Sequence, residues 1–126
     1  MTGRILFEEE IRGDVCIVHI SGRLATGANF DFSGKAREIK SLGCRKLIAD
    51  IANVDSTGSA GMGFFVDLYT SIAKNPGGRF VLAAPSPRVR EVLELTGLSR
   101  VIPIAPNLEE ALAFCERGEG TAAQAG

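Results

Sequence analysis

Neither sign of charge is in excess in this 126-residue chain: 14 Lys and Arg stand against 15 Asp and Glu, a formal net charge of -1. Binding to phosphate backbones or to an anionic membrane draws on a cationic surplus, so direct nucleic-acid binding is disfavoured. Long apolar runs are missing as well. No window approaches the roughly 18 apolar residues of a membrane span. The opening residues, M-T-G-R-I-L-F-E-E-E, lack the apolar stretch of a signal peptide, and the expected location is the cytoplasm. Cysteine is scarce. Cys16, Cys44 and Cys115 are odd in number, far apart and in no C-x-x-C spacing. Neither a disulfide framework nor a zinc site is expected of them, and they read as small core hydrophobes.

The machinery of catalysis is equally thin. His19 is the only histidine, and its setting in V-C-I-V-H-I is that of a strand residue rather than a ligand or general base. A nucleophile elbow needs G-x-S-x-G, but Val54-Asp55 precede Ser56 and Ser59 lies in G-S-A-G. No G-x-x-x-x-G-K-[ST] loop occurs, and no paired acids flank Asp55. No enzyme activity, cofactor or metal is expected.

What is present is the composition of one soluble globular domain, with 45% hydrophobic and 23% charged residues. Residues 5–9 and 15–20 read as strands joined through Arg12-Gly13-Asp14, a hairpin. A helix is expected over residues 26–42, with Thr26 as N-cap, Phe32, Ala36, Ile39 and Leu42 as its stripe, and Gly43 as its stop. K-L-I-A-D-I, residues 46–51, is apolar enough for a strand covered on both faces. Residues 58–73 read as a second helix whose stripe is Met62, Phe65, Val66, Tyr69, Ile72 and Ala73.

Asn75-Pro76-Gly77-Gly78 breaks that helix, and R-F-V-L-A-A, residues 79–84, is the fourth strand. Ser86-Pro87 opens a third helix that Gly97 ends. Residues 101–104 contain Pro103, which suits only an edge strand. Asn107 to Glu110 resembles a capping box for a last helix. Residues 117–126, R-G-E-G-T-A-A-Q-A-G, carry no apolar period and are expected to form a flexible tail on a domain of residues 1–116. The order of elements predicts an α/β fold with a largely parallel sheet.

One segment stands out. In D-I-A-N-V-D-S-T-G-S-A-G-M-G-F-F-V-D-L, residues 50–68, a strand feeds a polar turn that opens into a helix. Strand carboxyl ends are the usual binding edge of open α/β sheets. Asp55, Ser56 and Thr57 are positioned to cap the helix, whose first amides favour a negative group. Gly58, Gly61 and Gly63 are costly in a helix and suggest that the backbone must be approachable. Phe64 and Leu68 fall off the expected stripe and suggest a second, partly exposed apolar face for docking.

Asp55-Ser56-Thr57-Gly58, after K-L-I-A-D-I and before a glycine-broken apolar helix, resembles the signature of the STAS family of anti-sigma factor antagonists. Gly22-Arg23-Leu24 is similar to the G-x-L that opens the first helix of that family, and the spacing of elements agrees from about residue 5 to residue 116. The resemblance implies a single STAS-like domain, a mixed, mostly parallel five-stranded sheet with about four helices on one side. It implies a monomer or weak dimer that binds an anti-sigma factor serine kinase when unphosphorylated and so frees a sigma factor. A serine phosphatase would reset it.

By the same resemblance Ser56 is the phosphoacceptor, with Ser59 and Thr57 behind it. The partner surface would comprise Asp55, Ser56, Thr57, Gly58, Ser59, Gly61, Phe64 and Arg23. The chain departs from the family pattern at Ser59, where an apolar residue is usual, and at Ala25, where an acidic one is usual. Those departures keep a second implication open: a STAS scaffold, or an accessory subunit of a stress-sensing or lipid or anion transport complex, with no phosphorylation switch. A small-ligand sensor using the helix start near Ser56 as an anion site is a third.

Overall fold

The computed structural model describes residues 5–24 and 30–117. A hairpin comes first: β1 (Leu6–Arg12) and β2 (Val15–Leu24) pair antiparallel about Gly13, whose φ of +60° glycine adopts without a steric penalty. There follow α1 (Phe32–Lys40), β3 (Lys46–Thr57), α2 (Ser59–Ala73), β4 (Arg79–Ala83), α3 (Pro87–Leu95), β5 (Ile104–Ala105) and α4 (Leu108–Arg117). The strands lie side by side in chain order, and every pairing from β2 to β5 is parallel. This is the mixed five-stranded sheet that the element order predicts.

The helices do not all share one side of it. Because the strand order never reverses, crossovers of one hand place α1, α2 and α3 on the same face. There Ala36, Ile39, Phe65, Leu68, Val89 and Leu93 pack on Val18, Ile20, Leu47, Ala49, Ile51, Phe80 and Leu82. The same strands are apolar on their other face too, where Val15, Ile17, Ile48, Val81 and Ala83 need cover. Among the described residues no strand follows α4, so it closes no crossover onto the first face. It lies on the second, with Ala111, Phe114 and Cys115 buried against the sheet.

Helix ends follow their local chemistry with two shifts. The N-cap of α1 is Asp31, whose carboxylate accepts the Gly34 N–H at 2.9 Å; Thr26 lies outside the described residues. Ser86 caps α3 by accepting the Val89 N–H at 3.2 Å, with Pro87 in the first turn. Asn107 caps α4 by accepting the Glu110 N–H at 2.9 Å. That helix runs through Arg117, where the tail was expected to begin. The edge strand β5 shrinks to two residues, and the Pro103 carbonyl before it accepts the Leu82 N–H at 3.0 Å.

Two of the cysteines are joined, against the expectation from their spacing. Cys16 and Cys44 form a disulfide across 28 positions of sequence. Cys16 pairs with Leu47 in the β2–β3 register, so the turn before β3 brings Cys44 alongside, with Cα atoms 6.1 Å apart and within disulfide reach. Cys115 is free and buried under α4, and burial pushes its thiol up to about 11.

Candidate functional site

The Asp55-Ser56-Thr57 segment is strand, not cap. β4 leaves β3 after Asp50, whereas β2 stays paired with it to the end, as Arg23 opposite Ser56 and Leu24 opposite Thr57. The result is a two-stranded tip projecting past the rest of the sheet. The N-cap of α2 is Gly58, in an extended conformation and with no side-chain cap. Its N–H instead donates to the Leu24 carbonyl at 2.7 Å, which locks the helix start to the end of β2. Asp55, Ser56 and Thr57 precede the N-cap position, which Gly58 occupies, and the Thr57 hydroxyl donates to the Gly58 carbonyl rather than accepting from the first turn.

Position along the tip sorts the expected site residues into two groups. Asp55, Ser59 and Arg23 are exposed and Ser56 and Gly58 half-buried. Thr57 is only 8% exposed, and its hydroxyl donates to the Gly58 carbonyl at 3.3 Å. Gly61 is buried too: a Cβ there would stand 2.5 Å from Thr57 Oγ1 and 2.9 Å from the Leu24 carbonyl oxygen. The absence of a side chain there permits the close approach of α2 to β2.

Phe64 and Leu68 are also core residues, which corrects the docking face expected of them. Phe64 is 3% exposed. Its ring meets those of Phe7, Phe32 and Phe65 at centroid distances of 5.8, 5.5 and 6.0 Å. The buried stripe of α2 is therefore Gly61, Phe64, Phe65, Leu68 and Ile72. Met62, Val66 and Tyr69, expected in the core, are half-buried, and Ala73 is exposed.

The surface that continues the tip is thus Ser59, Met62, Gly63 and Val66. Met62 and Gly63 were not among the expected partner residues; their helical spacing from Ser59 puts them on its side of α2. Ion pairs among the described residues leave Arg23 and Asp55 unengaged. The first turn of α2 contains no acidic residue. One strand-end hydroxyl, one carboxylate, one guanidinium and a half-buried apolar patch therefore meet at an uncapped helix start.

His19 is a strand residue as expected, but it belongs to a polar network. Its Nδ1 lies 2.7 Å from Asp50 Oδ2 and its Nε2 2.8 Å from Glu10 Oε1. A carboxylate at each nitrogen favours the imidazolium, in which both ring N–H groups donate. The hydrogen bond to Glu10 raises the His19 pKa, against the opposing effect of burial, and Asp50 adds to the rise. The network ties β1, β2 and β3 together on the sheet face that α4 leaves open. Asp50 precedes Ser56 by six strand residues, roughly 20 Å, so His19 is no base for the serine.

These features define a small α/β domain that presents a hydroxyl-bearing edge at a strand-to-helix junction. The model of the STAS domain matches residues 7–111. The chain belongs to the STAS domain family. A candidate anti-sigma factor antagonist of Thermotoga neapolitana is 33% identical over 75 residues, 60% of this chain and 66% of that protein. The chain thus spans just under two thirds of the curated relatives it matches. The crystal structure of a candidate anti-sigma factor antagonist from Thermotoga maritima is similar, with a TM-score of 0.73 and 28% identity, over 88% of this chain and 95% of that one. An anti-sigma factor antagonist from Mycobacterium paratuberculosis has a TM-score of 0.77 at 25% identity, covering 90% of this chain and 96% of its own. Among the described residues no helix is long and apolar enough to cross a membrane.

Proposed function

We propose that this chain is an anti-sigma factor antagonist that docks through the β3–α2 junction and is released from its partner by phosphorylation of Ser56. The observation that carries this reading is the place of Ser56: a half-buried residue on the projecting tip, two residues before the glycine that starts α2, with Arg23 beside it in register. A phosphoserine brings about 1.5 to 2 negative charges. At this position Arg23 and the uncapped helix start compensate them, so the domain stays folded. Under a bound partner the same charges would lose their water without a new counter-charge, and binding would be lost.

The partner is an anti-sigma factor that is also the serine kinase, and a serine phosphatase restores the binding form. The protein acts in the cytoplasm by binding alone, without catalysis or a cofactor. The recognition surface is Arg23, Asp55, Ser56, Gly58, Ser59, Met62 and Gly63. Ser59 is the second acceptor in rank, because it is exposed; the inward hydroxyl of Thr57 ranks last.

The test is intact mass and phosphosite mapping after incubation with ATP and the anti-sigma factor kinases of the source organism, with Ser56→Ala as control. One phosphate on Ser56, absent from the variant, is expected. Ser56→Ala should bind the kinase constitutively and Ser56→Asp should bind it weakly. Failure of every kinase to phosphorylate the chain, or equal binding by both variants, would overturn the switch.

A further inference from the structure

The disulfide lies at the far end of β2 from the recognition tip, and it is reachable. Cys16 is 3% exposed, but Cys44 is half-buried in the turn between α1 and β3. A surface cavity of about 530 Å³ is lined by both cysteines together with Arg45, Lys46 and Arg79. A second, of about 480 Å³, is lined by Cys44 with Ile39, Leu47 and Ile72. Asp14, the carboxylate of the first cavity, is engaged by Lys46 at 2.9 Å. The cationic lining stabilises a leaving thiolate, which is what makes a disulfide exchangeable.

We infer that Cys16–Cys44 is a thiol-exchange site for a low-molecular-weight thiol, and that opening it loosens α1 from α2. The thiol enters the cavity as thiolate and attacks Cys44 Sγ. The Sγ–Sγ bond breaks, the new S–S bond joins Cys44 to the reagent, and Cys16 leaves as a thiolate that takes a proton from water. A second thiol then attacks the mixed disulfide. Cys44 is freed as a thiol, and the two reagent molecules depart as their own disulfide. Two electrons and two protons pass from reagent to protein in all. Cys115 is excluded as an internal partner because it is buried on the opposite face of the sheet.

The consequence follows from what the bridge encloses. The covalent loop contains β2 from Cys16 onward and the whole of α1. Those elements hold α2 through Lys40 to Asp67 at 3.1 Å, Phe32 against Phe64, and the Leu24 carbonyl on Gly58. Removing a link across a loop of this length restores chain entropy to the unfolded state, an expected fall in Tm of about 10 °C.

The full chain, purified without reductant, is treated with glutathione under native conditions. Free thiols are counted by maleimide labelling and intact mass, and amide hydrogen exchange is followed. Two new labels on Cys16 and Cys44, a lower Tm and faster exchange in α1 than in α4 are expected. Cys44→Ser should show the low Tm and the fast α1 exchange with or without glutathione. Labelling of Cys44 in the untreated protein, a bridge that opens only after unfolding, or reduction that leaves Tm and α1 exchange unchanged would each overturn the inference. The wild-type comparison stands even if the variant folds poorly.

Discussion

A methyl group added at Gly61 and the same methyl added at Gly63 should move stability in opposite directions, although the two glycines are neighbours on one helix. At Gly61 the new Cβ would lie 2.5 Å from Thr57 Oγ1, 2.8 Å from Leu24 Cβ and 2.9 Å from the Leu24 carbonyl oxygen. Two of those three atoms belong to the strand end that receives the Gly58 N–H. Relief requires α2 to back away from β2, which lengthens that hydrogen bond. Overpacking of this kind costs about 1 to 3 kcal/mol and the weakened bond about 1 more. Alanine's better helix propensity offsets at most about 1 kcal/mol.

The net loss at Gly61→Ala is therefore about 1 to 3 kcal/mol, a fall in Tm of roughly 4 to 12 °C. At Gly63 nothing lies within 4 Å of the added carbon. Only the propensity term remains there, so Gly63→Ala should gain about 0.5 to 1 kcal/mol. Urea unfolding followed by circular dichroism, with thermal scans beside it, reads both variants against wild type at constant m. If Gly61→Ala proves as stable as Gly63→Ala, the close approach of α2 to the end of β2 is wrong.

Phe64→Ala should cost about 3 to 5 kcal/mol, as for a buried ring, and a loss below about 1 kcal/mol would return Phe64 to the surface. His19→Gln tests the imidazolium between Glu10 and Asp50, with Glu8 directly opposite it and Arg12 paired to Glu10. The His19 pKa is raised above its ordinary 6.5, so its contribution is complete below that value and is lost as pH rises through the folded pKa. Glu10 is lowered from its ordinary 4.5, chiefly by His19 and then Arg12, so its contribution is present above 4.5 and is lost as pH falls. The stability difference between wild type and variant should peak between those two values and shrink at higher pH. Urea titrations at about pH 5.5 and about pH 8.5 measure it, and a difference independent of pH would contradict the charged ring.

Much of the fold was legible because its signals act over one turn or one strand. Ser86-Pro87 and Asn107 start helices through bonds to amides three residues on, and Gly97, at a φ of +82°, stops one. K-L-I-A-D-I and R-F-V-L-A-A are apolar on both faces, and both are central strands. The Asp55-Ser56-Thr57-Gly58 junction was likewise visible from the residues alone. The buried side of α2 was not, because the helix is apolar on more than one side and its period allows Phe64 or Met62 to face inward. Packing against Phe7 and Phe32 chose Phe64.

The sequence by itself determined the class, the number and order of the strands, the caps of α3 and α4, and the family signature. Each of these rests on contacts between residues close in the chain. Only the tertiary structure decided that β3 runs on to Thr57, that α4 covers the second face, and that Cys16 meets Cys44. It also placed His19 between two carboxylates and turned Thr57, Gly61 and Phe64 inward. Each of those depends on which strand lies beside which, and residues 28 or 31 positions apart become neighbours only once the sheet has assembled.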